Sequence, residues 1–400
     1  MTRVIFLNRY FAPDNSATSQ IASDLAFDLA ARGFHVIVIT GRQRYNDPGV
    51  RLPVIESING VRVERVWSTA FGRRWLPGRM IDYLTFYLSA TWALLTRITA
   101  HSRVVAMTDP PLISAPAAFV AKYRHALLVN WLQDVFPEVA ERLNMMRQGW
   151  LLRILTSLRN WSLRKASANV VIGQRTAMLL KNKCDESSVQ VIPNWAIQEG
   201  KADNGHRLRR NWMLENHFVI GYSGNMGRVH ALDSLIEAAS RLRNATNITF
   251  LFIGDGAQLP TLRARAQSQQ LTNVLFKPYQ PLEVLLDSLS LPDVHVVSLD
   301  ERLEGLIVPS KFVGILAVGK PVLFLGAADG EIGSCIARSG CGVVAATADV
   351  DAIVAAIERL AGDPAALAAM AAGAHDLWDK EFRRRRALDQ WAQLLSDLHD

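Results

Sequence analysis

Short apolar runs alternate with longer segments of helical period along almost the whole chain. RVIFL (3–7) precedes the helical stretch SQIASDLAFDLAARG, where Ile21, Leu25, Leu29 and Ala30 recur on one face and Gly33 stands at the C-terminal cap. HVIVIT (35–40), VRVERVW (61–67), RVVAMT (103–108), LLVNWL (127–132), ANVVIG (168–173) and VQVIPNW (189–195) follow. The plan then repeats. HFVIGYSG (217–224), ITFLFIGDG (248–256), NVLFKPY (273–279), DVHVVSL (293–299), KPVLFLG (320–326) and GCGVVAA (340–346) are strands with amphipathic segments between them. Runs apolar on both faces, separated by helices, require parallel sheets covered on both sides. The expectation is an α/β chain of two Rossmann-like units, joined by a polar linker near Gln198–Arg210, where turn formers collect.

Length agrees, since 400 residues exceed one ordinary core and suit two domains. Half the residues are hydrophobic, which excludes disorder. The net charge of +7 is unevenly placed: residues 1–198 hold 24 Lys and Arg against 13 Asp and Glu, and residues 199–400 hold 20 against 24. A basic first half points to a polyanionic partner, whether nucleic acid, anionic lipid or a phosphorylated substrate. Cys184, Cys335 and Cys341 form no disulfide framework and no metal-binding pair, which makes a reducing, cytoplasmic setting the default. The opening strand is too short for a signal peptide, and the uncharged run Tyr83–Thr96 is too short to cross a bilayer.

Five segments carry candidate chemistry. The loop before the first helix, with Ser16, Ala17 and Thr18, offers small side chains at a helix N-terminus, for a phosphate or for an ordinary cap. Gly224, Asn225, Gly227, Arg228 and His230 end a strand in a loop that lets backbone approach a ligand, or that simply turns. In Glu304-Gly305-Leu306-Ile307-Val308-Pro309-Ser310-Lys311, Ser310 reads as an N-cap, leaving Lys311 at the end of a helix where a cation is unfavourable unless an anion is bound nearby. Asp134 follows a very apolar strand at the end where parallel sheets bind ligands, and suits the orientation of a hydroxyl group as well as a capping role. RQGWLLRILTSLRNWSLRK (147–165) is a basic amphipathic helix. Its Trp150, Arg153, Arg159 and Trp161 suit an anionic lipid surface, or a core-facing helix with a solvated side. Residues 75–97 are a second membrane-facing candidate. Asp349-Val350-Asp351 reads as a helix cap rather than a metal motif. No metal cluster, GxGxxG, GxSxG or Walker motif is present.

Taken in order, YFAPDNSATS, LAARGFHV, TDPP, WLQDVFPE, VIPNW, GYSGNMGRVHALDSLIEA, FIGDGAQ and EGLIVPSKFVGILAVGKPVL resemble the retaining glycosyltransferases of family 4. The likeness is greatest to transferases of the colanic-acid and O-antigen type, including N-acetyl-fucosamine transferases. It covers nearly the whole chain. It implies the GT-B fold, with two Rossmann-like domains whose parallel sheets face each other across a cleft. Residues 1–198 would bind the acceptor and 211–373 the nucleotide sugar, with a helix in 374–400 returning to the first domain. The resemblance implies transfer from a nucleotide-diphosphate sugar, a UDP-linked N-acetylhexosamine or deoxy-sugar derivative, to a polyprenyl-diphosphate acceptor, without metal or other cofactor, at the inner face of the cell membrane. Asp134, Glu304, Lys311 and Arg228 would be catalytic. Ser16, Ala17, Thr18, Gly224, Asn225, His230, Gly254, Lys277, Pro278, Tyr279, Leu306, Ile307, Val308 and Ser310 would meet the donor.

The family pattern is not matched throughout. Its Glu-x7-Glu motif falls on Leu306 and Gly314, with Glu304 two residues early; its usual Arg and Lys fall on Asn225 and His230, and a histidine on Gln133. A nucleotide-sugar 2-epimerase of the same fold, and a non-catalytic partner in polysaccharide assembly, are the alternatives. No nucleic-acid module is found.

Overall fold

The computed structural model describes residues 2–45, 47, 49–72, 76–200 and 205–398. The chain forms two compact units, one of Met1–Asn194 with Arg385–Asp400, the other of Trp195–Arg384.

In the first unit the elements run β1 (Arg3–Leu7), α1 (Ala17–Ala31), β2 (His35–Gly41), β3 (Ile55–Ile58), β4 (Val61–Val66), α2 (Leu76–Arg97), β5 (Arg103–Ala106) and α3 (Ser114–Tyr123). They continue with β6 (Leu127–Leu132), α4 (Glu138–Arg142), α5 (Trp150–Lys165), β7 (Ala168–Val171), α6 (Gln174–Leu180) and β8 (Val189–Val191). The eight strands lie in the order β3-β4-β2-β1-β5-β6-β7-β8, parallel except for the β3–β4 hairpin. That hairpin is absent from the sequence expectation. Asn59 and Gly60 both have positive φ, 47° and 80°, as a two-residue hairpin turn requires. One core packs Ile5, Ile37, Val104 and Leu128 of the sheet against Phe86, Ala90 and Leu94 of α2 and Ala117, Ala118 and Ala121 of α3.

In the second unit the elements are α7 (Gly205–Asn211), β9 (Phe218–Ser223), α8 (Asp233–Arg241), β10 (Ile248–Ile253), α9 (Leu259–Ser268), β11 (Val274–Lys277), α10 (Leu285–Ser290) and β12 (Val294–Ser298). Then come α11 (Lys311–Ala317), β13 (Val322–Leu325), α12 (Glu331–Ser339), β14 (Gly342–Ala345), α13 (Val350–Gly362) and α14 (Pro364–Leu377). The six strands are all parallel, in the order β11-β10-β9-β12-β13-β14. The order reverses between β9 and β12, so the loops after these two strands flank the switch point where such sheets take ligands.

Two boundaries differ from the sequence expectation. Half of the expected linker is helix α7, fixed to the second unit because Arg209 pairs with Asp293 at 2.9 Å and donates to the Leu291 carbonyl. Lys201–Asn204, in the same stretch, lies outside the described residues. At the other end, α14 and the π-turn Trp378–Phe382 belong to the second unit, and only residues from Arg385 onward join the first. Those residues form most of α15 (Arg384–Asp397). Trp391 is fully buried, with its ring 4.7 Å from that of Trp131. Arg103 donates to the Leu395 and Leu398 carbonyls, and Arg32 pairs with Asp389 at 2.7 Å. Removing a buried tryptophan costs about 3–5 kcal/mol. Trp391→Ala should therefore destabilise the first unit by that amount in denaturant unfolding, and a loss below about 1 kcal/mol would show that α15 is no part of this core.

Candidate active site

At the switch point of the second unit, two strand-end loops are pressed together backbone to backbone. Gly224, after β9, donates to the Ile253 carbonyl at 2.8 Å, and Gly254, after β10, donates to the Lys277 carbonyl at 3.0 Å. Both glycines have positive φ, 125° and 133°. A Cβ on Gly254 would stand 2.2 Å from the Gly224 carbonyl oxygen, so no side chain fits there.

Lys311 opens α11 and lies beside Gly224, whose added Cβ would meet its Cε at 3.6 Å. Its ammonium donates to the Tyr222 hydroxyl and stands 3.7 Å from the Tyr222 ring centroid. The Tyr222 hydroxyl donates in turn to the Asn225 carbonyl at 2.8 Å. Among the described residues no carboxylate pairs with Lys311, and burial pushes its pKa well below the usual value. A buried cation is costly unless an opposite charge accompanies it. The arrangement is suited to receive an anion.

His230 lies beside Tyr222, with its ring 5.9 Å from that of the tyrosine. Burial and the Lys311 charge push its pKa down to about 3, against a hydrogen bond to the Ser298 carbonyl. It is therefore neutral at neutral pH. A carbonyl only accepts, so the proton sits on Nδ1 and Nε2 is left with its lone pair.

The remaining second-unit candidates are placed as follows. Glu304 accepts from the Glu331 backbone N–H at 2.7 Å, and its carboxylate lies where a side chain on Gly330 would be. It caps the start of α12. Ser310 occupies the N-cap position of α11, but its side chain makes no capping bond, contrary to expectation: its backbone is already helical, which directs the hydroxyl away from the first turn. Arg228 is exposed and makes no ion pair among the described residues. Asn225 contributes its carbonyl, with the rest of the residue exposed. Leu306 is buried, and Ile307 and Val308 are half-buried in the segment that leads to Lys311. Lys277 ends β11 with its ammonium 5.1 Å from the Trp212 ring centroid, and Pro278 and Tyr279 follow, exposed. Asp349 caps α13, accepting from Ala352 at 2.9 Å, as expected.

In the first unit, Asp14 ties the loop before α1, accepting from the Ser16 and Tyr45 backbone N–H groups. Ser16 sits at the N-cap of α1 with no side-chain capping bond, and its hydroxyl is enclosed without a partner. Ala17 and Thr18 begin the helix. Asp134, beyond β6, lines a small cavity with Thr108, Ser114, Asn130, Trp131 and Arg159. Its Oδ1 has no hydrogen-bond partner. Gln133 and Asn194 exchange amide hydrogen bonds beside it.

Two expected lipid-facing residues of α5 turn inward. Arg159 is 4% exposed and pairs with Glu138 at 2.5 Å, and it also donates to the Phe136 carbonyl. Glu138 takes Lys183 as well, at 3.1 Å, so Arg159 anchors the loop that carries Asp134. Trp161 is half-buried against the first unit's core. Trp150, 74% exposed, and Arg153 do face outward. Sequence reasoning missed Tyr222 and Thr108. A tyrosine at the end of a buried strand, whose hydroxyl needs a partner, was the available signal for the first.

A family model described as "Glycosyl transferase 4-like domain" matches residues 17–195, and one described as "Glycosyl transferases group 1" matches 217–363. The chain belongs to this glycosyltransferase family and is a transferase, not an epimerase. WcaI of Escherichia coli (strain K12), named for colanic acid biosynthesis, is 28% identical over 374 residues, 87% of this chain and 89% of the relative. WbjE of Pseudomonas aeruginosa, named as a glycosyltransferase, is 28% identical over 260 residues, 62% of this chain and 64% of the relative. Sucrose-phosphate synthase from Thermosynechococcus elongatus superposes with a TM-score of 0.79 at 15% identity, covering 99% of this chain and 98% of that one. HepE of Anabaena, crystallised with UDP-glucose, gives 0.74 at 16%, covering 100% of both chains. The lipopolysaccharide glycosyltransferase WaaG gives 0.73 at 17%, covering 99% and 100%. The fold is GT-B.

Burial pushes the Asp134 carboxyl up to about 6, outweighing the hydrogen bond from Thr108, and the Asp109 charge adds to the rise. Its contribution to stability is therefore full below the ordinary value of 3.8 and is lost as pH rises through about 6. Asp134→Asn should gain stability relative to wild type between about pH 4 and about pH 7, by roughly 3 kcal/mol at most. Unfolding measured across that window checks this, and a constant difference between the two proteins would show that the carboxyl does not titrate there.

Proposed function

We propose that this enzyme transfers a sugar, with retention of configuration, from a nucleotide-diphosphate donor to a polyprenyl-diphosphate-linked acceptor in cell-surface polysaccharide biosynthesis. The donor is a UDP-linked N-acetylhexosamine or deoxy-sugar derivative. The observation that carries the reading is Lys311, a buried ammonium with a phenol and a backbone turn around it and no carboxylate among the described residues. The names of WcaI and WaaG, and the UDP-glucose bound to HepE, support it.

In this mechanism the second unit holds the donor. The bond between the anomeric carbon and the leaving phosphate oxygen breaks, and Lys311 meets the charge that develops on the diphosphate. An acceptor hydroxyl forms the new bond from the same face, and its proton passes to the leaving phosphate. Neutral His230 offers a lone pair to a sugar hydroxyl. The backbone at Gly224 and Asn225 receives the diphosphate, and Pro278 and Tyr279 meet the base. Glu304 acts by holding the start of α12 beside the donor, and Arg228 reaches the diphosphate from the surface. The first unit holds the acceptor, whose hydroxyl is oriented by Asp134, and the α1 N-terminus with Ser16, Ala17 and Thr18 is suited to a phosphate group. No metal takes part. The enzyme works as a peripheral protein at the inner face of the membrane. Among the described residues no helix is long and apolar enough to cross it, and Trp150 and Arg153 face outward.

Lys311→Ala should lower turnover at least about tenfold while UDP still binds and the melting curve keeps its shape. Wild-type turnover in that variant would remove Lys311 from the site. Turnover of the wild-type enzyme should be unchanged by a chelator, and loss that is restored by a divalent cation would replace the lysine with a metal.

A further inference from the structure

Helices α2, α3 and α5 form one outer layer on the first unit, with α3 packed between the other two. Helix α2 has three distinct rows. Asp82, Phe86, Ala90 and Leu94 are buried against the sheet. Arg79, Tyr83 and Tyr87 face the loops after β1 and β5, where Arg9 lies over the Tyr83 ring and Tyr87 donates to the Pro111 carbonyl. The third row, Met80, Leu84, Leu88 and Trp92, is 57–69% exposed. At 1.5 Å per residue it makes an apolar ridge of about 18 Å.

The neighbouring helices continue it. Phe119 and Tyr123, one turn apart on α3, are 66% and 67% exposed, and Trp150, Ile154 and Leu158 of α5 are 40–74% exposed. Exposed apolar side chains are ordinary when scattered singly, but a contiguous sheet of them marks a binding surface. The charges on the same three helices select the partner. They carry seven Lys and Arg and one carboxylate, Asp82. That carboxylate is buried and accepts from Thr69, Phe71 and Gly72. Of the cations, Arg97 pairs with Glu64 and Arg159 with Glu138, and the exposed ones, Lys122, Arg153, Arg164 and Lys165, make the outward charge of the layer positive.

We infer that this three-helix face, centred on α2 and α3, docks on an anionic bilayer, with the Leu84–Leu88–Trp92 and Phe119–Tyr123 rows entering the interface and α5 at its edge. This rests on the peripheral location proposed above and moves the contact away from the α5 arginines. An apolar ridge flanked by the exposed cations of α3 and α5, Lys122, Arg153, Arg164 and Lys165, fits lipid acyl chains under anionic headgroups, because both components of the attraction are then satisfied at once.

The test is flotation of the full chain with phosphatidylcholine vesicles, with and without phosphatidylglycerol. Wild type should float with the anionic vesicles, less so at high salt. Leu84→Ser/Leu88→Ser/Trp92→Ser should reduce vesicle binding at least about tenfold, as should Phe119→Ser/Tyr123→Ser. All five positions are exposed, so melting curves should hold, and transfer to a lipid-free saccharide acceptor should stay at wild-type level. Either variant floating like wild type would overturn the inference. So would a wild-type dimer that the substitutions dissociate, since the face would then be covered by a second copy. Transfer in solution by a wild-type chain that does not float would overturn the docking face and leave the proposed reaction standing. Flotation without transfer would do the reverse.

Discussion

A lysine with no carboxylate paired to it among the described residues is the constraint around which the second unit's strand-end loops are arranged. Lys311 is held by the Tyr222 hydroxyl, and that hydroxyl is held by the Asn225 carbonyl. The turn bearing Asn225 is held by its neighbour, since Met226 donates to the Asp255 carbonyl and Gln258 to that of Met226. The contact needs glycine at 254, because nothing larger passes the Gly224 carbonyl. His230 completes the logic from the other side. With its pKa pushed down to about 3, it adds no second cation next to Lys311. Every group in the cluster thus tolerates one positive charge and supplies none of the negative charge that would balance it. Burial disfavours the charged form of Lys311, and an anion beside it would restore that form.

The first unit solves a different problem, the placing of one carboxyl. Asp134 stands on a short loop between β6 and α4, and the loop is held by Arg159 reaching across from α5 to Glu138 and to the Phe136 carbonyl. Lys183 shares the same carboxylate and holds Glu138 ionised, with a pKa below the usual range. Asp134 itself gets only one helper, Thr108, and keeps an oxygen unpartnered. Structural carboxylates in proteins are normally satisfied, as Asp82 is here. Glu138 and Asp134 each keep one enclosed oxygen without a hydrogen bond, but Glu138 is neutralised by two cations, whereas Asp134 has only the Thr108 hydroxyl.

The central strands and their order along the chain were legible because they are short apolar runs buried on both faces, as in RVIFL, HVIVITG, ITFLFI and VLFL. The loop glycines at 224 and 254 were legible for the same reason, since they end such runs. The Lys311–Tyr222 pairing was not, because the partners lie 89 positions apart: a cation opening a helix and a tyrosine ending a buried strand are each visible, but nothing local joins them. Glu304 was read from a family motif that it nearly fits, and the structure spends its carboxylate on the backbone of α12. Strand β3 escaped for want of an apolar run: IESI is half-exposed at the sheet edge, and only the Asn59-Gly60 turn betrayed it. Ser310 shows the limit of cap rules, which name the residue type but not the backbone angles it will adopt.

Arg159 shows why amphipathicity alone misassigns a surface. The basic side of α5 is not one side: Arg153 and Arg164 face outward, whereas Arg159 is turned to the half-buried Glu138. Sequence period fixes which residues share a face, but a long arginine can be either solvated or folded under, at similar cost once it finds a carboxylate. The apolar rows are less ambiguous, because nothing compensates an exposed leucine except another apolar surface. On α2 the inner row alone satisfies the sheet, with Phe86, Ala90 and Leu94 fully enclosed. The outer row of Met80, Leu84, Leu88 and Trp92 adds nothing to that core. Its cost in solution is therefore not offset within the first unit, which is the physical reason to look for its partner outside.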